Sequence, residues 1–230
     1  MTTYVLIHGG GHGGWCYAKV TARLQALGHR VYAPSLPGLG EHAHLVSPAI
    51  DLNAHIDDVV NLLFHEDLHD VVLVGHSYGG MVVTGVAGHV ANRIAHIVYL
   101  DAHVPADGQS VIDLLTFTRP GYETEQWVDP PGTFGVKDPV DLAWVKANMT
   151  PHPTRSMRQK VSLPVPLEEM SLKRTYVLAE LEPLGPWFAD NAAKYEADAR
   201  WRFIRMQAVH DMMVTEPGQT ARILLDAAKE

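Results

Sequence analysis

The sequence predicts an α/β fold with a mostly parallel sheet, helices on both of its faces and an inserted cap. Three observations predict it. Short apolar runs alternate with segments of helical periodicity along most of the chain, the pattern of strand–helix–strand crossovers. Glycine-rich turns, "HGGGHGG" and "GHSYGG", directly follow two of those runs. The alternation breaks between residues 104 and 172, where Pro, Gly, Trp and Met are frequent, and the stretch is too long for a plain loop.

Taken in order, "YVLI" at 4–7 is a short apolar run of the buried-strand type. A helix is expected over residues 15–27, stopped by Gly28. "RVYAP", 30–34, is a strand closed by Pro34, and "PGLGEHAH" is loop. Leu52, Ile56, Val59, Val60 and Leu63 recur at helical spacing, predicting a helix over 51–64. "DVVLVG", 70–75, is a buried strand, and "YGGMVVTGVAGHV" reads as a helix whose glycines allow it to lie close to the sheet. "IAHIVYLD" (94–101), "RTYVLA" (174–179) and "RWRFIRMQ" (200–207) are further strands, and a last helix covers 217–228. The whole of 1–230 reads as one domain, with 105–172 as a cap, or lid, inserted over the sheet.

Composition narrows the function classes. The chain has 230 residues and is 47% hydrophobic, enough for one well-buried core. The net charge is −8 and no run of Lys or Arg stands out, so nucleic acid and anionic membranes are not expected partners. A single cysteine, Cys16, permits no intrachain disulfide and fits a reducing, cytoplasmic compartment. The N-terminus reads as a strand rather than a signal peptide, and no apolar run is long enough to span a bilayer. A homodimer is compatible with these numbers.

Gly75-His76-Ser77-Tyr78-Gly79 lies between a predicted strand and a predicted helix. That is the context of a nucleophile elbow, where flanking glycines permit a sharp turn that exposes the serine. Serine needs a base and an orienting acid, and its oxyanion needs backbone donors. The N–H of Tyr78 is one expected donor; the other is expected from the loop after the first strand, with Gly10 chosen within "HGGG". The base is expected late in the chain, after the last strand, which selects His210 from 14 histidines. His8 and His12 are expected to shape the oxyanion loop. The acid is open among Glu182, Glu180 and Asp101, because "AELEPLGPW" after strand 174–179 contains no aspartate; Asp211 abuts His210 and is disfavoured.

"YVLIHGGGHGGWCY", "LVGHSYGGMV" and "AVHDMMVTEP" together resemble the α/β-hydrolase superfamily, in the branch of plant methylesterases, hydroxynitrile lyases and related bacterial esterases. The resemblance spans nearly the whole chain but is weak within the cap. It implies a Ser–acid–His triad, no cofactor and a small ester substrate. Matching "KRTYVLAELE" to the family's acid strand places the acid at Glu182, where the family's usual aspartate is replaced. The lyases of this branch carry a Thr and a Lys where this chain has Gly9 and Asp211, so hydrolysis is expected rather than cyanohydrin cleavage.

"HEDLH", 65–69, formally matches a zinc motif, but the helix should end there, so no metal is expected. Within and beside the cap, Trp127, Phe134, Trp144, Met149 and Met157, with Gly9, are the candidate substrate-binding residues. The expected function is a serine carboxylesterase acting on a small hydrophobic or aromatic ester through an acyl-enzyme on Ser77. A non-catalytic small-molecule receptor on the same fold, kept open by the missing aspartate, and hydroxynitrile lyase-type C–C cleavage are the alternatives.

Overall fold

The computed structural model describes residues 1–115, 120–130, 132–181 and 186–229. Six strands form one parallel sheet: β1 (Thr3–Ile7), β2 (Arg30–Tyr32), β3 (Val71–His76), β4 (Ile94–Leu100), β7 (Lys173–Ala179) and β8 (Arg202–Met206). Their order is β2-β1-β3-β4-β7-β8. Between them run helices α1 (Ala18–Ala26), α2 (Leu52–His65), α3 (Gly79–Val90), α7 (Pro186–Glu196), α8 (Met212–Thr215) and α9 (Pro217–Ala227). The segment joining β4 to β7 contains α4 (Val111–Leu114), a two-stranded antiparallel ribbon of β5 (Trp127–Val128) and β6 (His152–Pro153), α5 (Pro139–Asn148) and α6 (Thr154–Arg158).

Strand alternation splits the core in two. Val5, Ile7, Leu73, Ile97 and Tyr176 face a cluster closed by α2, α3 and α7. Tyr4, Leu6, Val72, Val74, Val98 and Val177 face a second cluster with α1, α8 and α9. Successive side chains of a strand point to opposite faces, so a strand buried on both sides is apolar throughout. β3 is buried along its whole length, and each fully buried Val or Leu stabilises the fold by ~1.5–3 kcal/mol.

The predicted elements hold, with shifted ends. Residues 14–17 form a 3-10 turn before α1, and Asp51 caps α2 by accepting from the N–H of Ala54 at 3.1 Å. α2 ends at His65 and Asp67 takes φ +47°, so His65 and His69 of "HEDLH" do not share a helix face; His69 Nε2 bonds Asp67 at 3.1 Å. The segment read as loop in "PGLGEHAH" enters a 3-10 helix at Gly40–Leu45, and α7, α8, a 3-10 turn at Ala91–Arg93 and the short elements of 105–172 are further additions. No described helix is long and apolar enough to cross a membrane.

Strand order fixes where a ligand fits. β1 and β3 are adjacent, and the connections leave them toward opposite sides of the sheet. In open α/β sheets ligands bind beyond the carboxyl ends of the strands at such a switch point. The loop after β1 begins at His8, and the turn after β3 is Ser77.

Candidate active site

Ser77 has φ +52°, a left-handed backbone that a non-glycine residue adopts only where its surroundings impose it. Here they do. Its N–H donates to Leu100 O at 3.3 Å, and its own carbonyl accepts from Gly80 N at 3.1 Å and His103 N at 3.0 Å. The close approach of the turn to β1 also requires its glycines: a Cβ on Gly79 would lie 2.6 Å from Ile7 O, and one on Gly75 2.7 Å from Gly79 O. Ser77 is thereby set, half-buried, at the floor of a cleft of about 550 Å³, part of which is open to solvent.

Two residues of the cleft lining, Phe134 and Phe188, pack against the proposed base, His210. His210 is buried, its ring 4.4 Å from His76 and 5.3 Å from both Phe134 and Phe188, centroid to centroid. Its Nδ1 donates to Asp101 Oδ2 at 2.6 Å, which leaves Nε2 as the nitrogen that can take a proton from a hydroxyl. Asp101 ends β4 with φ +44°. Its N–H donates to Val177 O at 2.8 Å and its Oδ1 accepts from Ala179 N at 3.2 Å. β7 therefore fixes the carboxylate over the sheet edge, and an aspartate is among the residues that tolerate this backbone.

The carboxylate that meets His210 is thus Asp101. Glu180 does not reach it: this side chain lies at the surface, where Arg205 donates to it at 3.1 Å and Gln207 also bonds it. Glu182 lies outside the described residues. Asp211, adjacent in sequence, turns away and meets His12 instead, at 3.1 Å.

The loop after β1 is organised by histidines. His8 donates from Nδ1 to Gly9 O at 2.8 Å and accepts at Nε2 from Leu36 N at 3.0 Å. That pattern needs a neutral ring, and burial indeed pushes its pKa down to about 3. The N–H of His12 also donates to Gly9 O, at 3.3 Å. With that carbonyl held from behind, the N–H of the same trans peptide, on Gly10, points the other way, and Gly10 lines the cleft. The next peptide, Gly10–Gly11, is bound at both ends: His12 Nδ1 donates to Gly10 O at 3.0 Å, and Gly11 N–H donates to His152 Nδ1 at 3.3 Å.

Tyr78 begins the turn into α3. Its hydroxyl donates to His55 Nδ1 at 2.7 Å, since His55 Nε2–H is committed to Pro37 O at 3.0 Å and burial holds His55 neutral, with its pKa near 4. The side chain is therefore anchored, while the backbone N–H sits at the positive end of a helix, where negative charge is favoured.

Of the remaining candidates, Phe134 and Met157 line the cleft. Gly9 backs onto its floor, where a Cβ would lie 2.9 Å from Ser77 Cβ. Trp127 is 43% exposed and borders a separate depression with Val46 and Thr150. Trp144 packs at 5.1 Å on Trp15, and Met149 joins the same core, so neither faces the cleft. Sequence reasoning missed His103, His152 and Phe188, all cleft-lining; Phe188 sits on α7, a helix the sequence reading did not place. His76, His210 and Asp211 offer atoms within 4.8 Å of one another, a spacing a metal could bridge. His76 Nε2 donates to His210 O at 3.0 Å, and the ring and carboxylate of the other two serve Asp101 and His12.

This density of neutral buried histidines has a consequence for stability. His8, His55, His76 and His152 all have pKa values lowered mainly by burial. A base whose folded pKa is depressed stabilises the fold fully only above its unfolded pKa. As pH falls below ~6.5, the unfolded chain binds protons that the folded rings refuse, at ~1.4 kcal/mol per pH unit for each ring. Urea unfolding at pH 5 is therefore expected to show a free energy lower than at pH 7 by several kcal/mol; an unchanged value would contradict the burial of these rings as neutral groups.

The alpha/beta hydrolase family model matches residues 4–223. Among curated proteins, the chain is 35% identical to a carbendazim hydrolyzing esterase of Nocardioides sp. (strain SG-4G), over 97% of this chain and 98% of that protein. A pyrethroid hydrolase of Sphingobium wenxiniae is also 35% identical, over 53% of this chain and 42% of its own length. Among solved structures, an extracellular alpha/beta-hydrolase from a Paenibacillus species superposes with TM-score 0.86 at 25% identity, covering 100% of both chains; it is described as sharing structural and functional homology with tobacco salicylic acid binding protein 2.

Proposed function

The chain belongs to the alpha/beta hydrolase family and is a carboxylic ester hydrolase; from that premise we propose that Ser77, His210 and Asp101 are its catalytic triad. The observation that carries the reading is the 2.6 Å contact of His210 Nδ1 with Asp101, joined to a serine held in a left-handed turn directly after His76, whose ring lies 4.4 Å from that of His210. Ser77 Oγ attacks the ester carbonyl while His210 Nε2 takes its proton. The oxyanion forms between the N–H groups of Gly10 and Tyr78. The alcohol leaves with the proton from His210, and water, activated by the same ring, releases the acid. Asp101 holds the imidazole in the tautomer that accepts at Nε2 and stabilises the imidazolium.

Segment 105–172 acts as the cap of this site and supplies one wall of the cleft through Val111, Val128, Phe134 and Met157. Phe188 also lines the cleft, and the described lining holds Asp129 but no Lys or Arg, so the substrate is a small ester without negative charge that carries an apolar or aromatic group. The buried, unpaired Cys16 fits the cytoplasmic location proposed here. The lyase alternative is disfavoured because the residue after the base is a carboxylate, Asp211, where a departing cyanide would need a cation. The contact of Asp101 with His210 argues against the receptor alternative, which rested on a missing acid.

A fluorophosphonate probe tests the site, and an ester panel tests the substrate class. Labelling is expected at Ser77 alone, with turnover of p-nitrophenyl and aryl methyl esters; carbendazim belongs in the panel because a relative is named for hydrolysing it. A protein that hydrolyses these esters without reacting at Ser77 would refute the assignment.

A further inference from the structure

Asp211 is fully buried and its carboxylate has one described hydrogen-bond partner, His12; Oδ1 has no donor among the described residues, and the basic nitrogen that comes near it, His76 Nε2, is 3.9 Å away and committed to His210 O. Burying a carboxylate with so little compensation is expensive, so the group is there for its effect on that partner. His12 in turn touches two acceptors: Asp211 Oδ2 at Nε2 and Gly10 O at Nδ1. Neither acceptor can donate, so both ring nitrogens carry protons and the ring is an imidazolium.

We propose that Asp211 is a positioning residue for the oxyanion loop, acting through His12, whose two ring N–H groups bridge the Asp211 carboxylate and the Gly10 carbonyl. The inference rests on reading Gly10 N–H as an oxyanion donor. The Gly10 carbonyl belongs to the peptide whose N–H is held by His152 on the far side. With the preceding peptide held at Gly9 O by His8 and the His12 N–H, holding this plane as well leaves Gly10 no rotation that would turn its N–H away. A neutral His12 has one ring proton and can serve only one of its two acceptors.

The surroundings make Asp211 the group that charges His12. Trp15 stacks on the ring at 5.5 Å and Phe134 lies 5.4 Å away, both uncharged. His76, edge-on at 5.8 Å from β3, is held neutral by burial, as are His8 after β1 and His152 on β6, both of which sense the His12 charge. The Cys16 thiol and Tyr17 hydroxyl near Asp211 are pushed up by burial and stay protonated. Burial alone would discharge His12, but the Asp211 charge, its hydrogen bond and that of Gly10 together hold the ring's pKa above the usual histidine range.

Asp211→Ala and Asp211→Asn, assayed with p-nitrophenyl acetate from pH 6 to 10 alongside 15N spectra of the histidine rings, test this. In the unaltered protein both His12 ring nitrogens are expected to be protonated at pH 7, and kcat to decline at alkaline pH as the ring deprotonates. Asp211→Ala should lower kcat by about 10- to 100-fold with KM within about 3-fold, as for a misaligned oxyanion donor. Asp211→Asn can donate its amide to Nε2 of a neutral ring and leave Nδ1–H on Gly10. It should keep kcat within about 3-fold because the oxyanion donor stays aligned, show one protonated nitrogen and lose the alkaline decline. A folded Asp211→Ala protein with unaltered kcat would overturn the proposal, as would an Asn variant as impaired as the Ala variant. If Asp211→Ala fails to fold, the Asn variant decides, and an alkaline decline that persists in it is the overturning result. An unaltered protein that hydrolyses no ester would refute the esterase mechanism, whereas a singly protonated His12 would refute this inference, so the two failures are distinguishable.

Discussion

Ser77→Ala is expected to lower kcat toward p-nitrophenyl acetate by about 10⁴- to 10⁶-fold, the scale on which a lost nucleophile acts when base and oxyanion donors remain. The fold should be unaffected. The described hydrogen bonds that Ser77 gives the turn use its backbone: its N–H to Leu100, and its carbonyl from Gly80 and His103. Removing a half-buried hydroxyl leaves those intact, and alanine occupies φ +52° with a strain similar to that of serine. Urea unfolding should therefore shift by no more than about 0.5 kcal/mol, as for a substitution that breaks no buried contact. The two measurements together separate chemistry from folding. Turnover within ten-fold of the unaltered protein, with Ser77 gone, would mean that the nucleophile is elsewhere.

The strained turn at Ser77 was legible because what makes it is local. Gly75, Ser77 and Gly79 lie within five residues, and a strand-to-helix turn of that sequence has few conformations open to it. The strands were legible for a related reason: burial on both faces removes polar residues, so runs such as "DVVLVG" stand out. The carboxylate partner of His210 is a non-local matter. Asp101 and His210 are 109 positions apart, and nothing in "YLDAHVP" says that β7 will turn this carboxylate toward a histidine after β8. Resemblance to a family whose acid follows the next strand favours Glu182, which lies outside the described residues, over an aspartate that the residues themselves kept as a candidate. α7 was missed because "EPLGPW" reads as loop, although Pro186 suits a first helical turn and Phe188, Ala192 and Tyr195 carry the helical spacing. The cleft walls were half legible. An apolar residue in 105–172 could face the cleft, like Met157, or the core, like Met149, and only the packing of that segment distinguishes the two.

Asp101→Asn is the substitution that decides between the acids. Asp101 accepts the Nδ1–H of His210, which keeps Nε2 unprotonated and ready to take the Ser77 proton. An asparagine has the same shape but can turn its amide toward Nδ1 and donate. The ring then carries its proton on Nε2, pointing at the serine, and is the wrong tautomer for a base; loss of the carboxylate also removes the charge that stabilises the imidazolium. The expected loss in kcat/KM is about 10³- to 10⁴-fold, the range for a triad acid replaced by its amide. Glu180→Gln is expected to change the rate by less than about 3-fold, because its contacts are with exposed Arg205 and Gln207 and surface pairs contribute little. Glu182→Gln completes the comparison, being the position that the family pattern favours. If it collapses the rate while Asp101→Asn leaves it within ten-fold, the acid follows β7 as in the family, and the 2.6 Å contact to Asp101 is structural. If Asp101→Asn is the damaging change, this chain has its acid one strand earlier, at the end of β4. The carboxylate then approaches His210 from the strand beside the nucleophile rather than from the next one out, and a glutamate at 182 no longer needs to reach the imidazole at all.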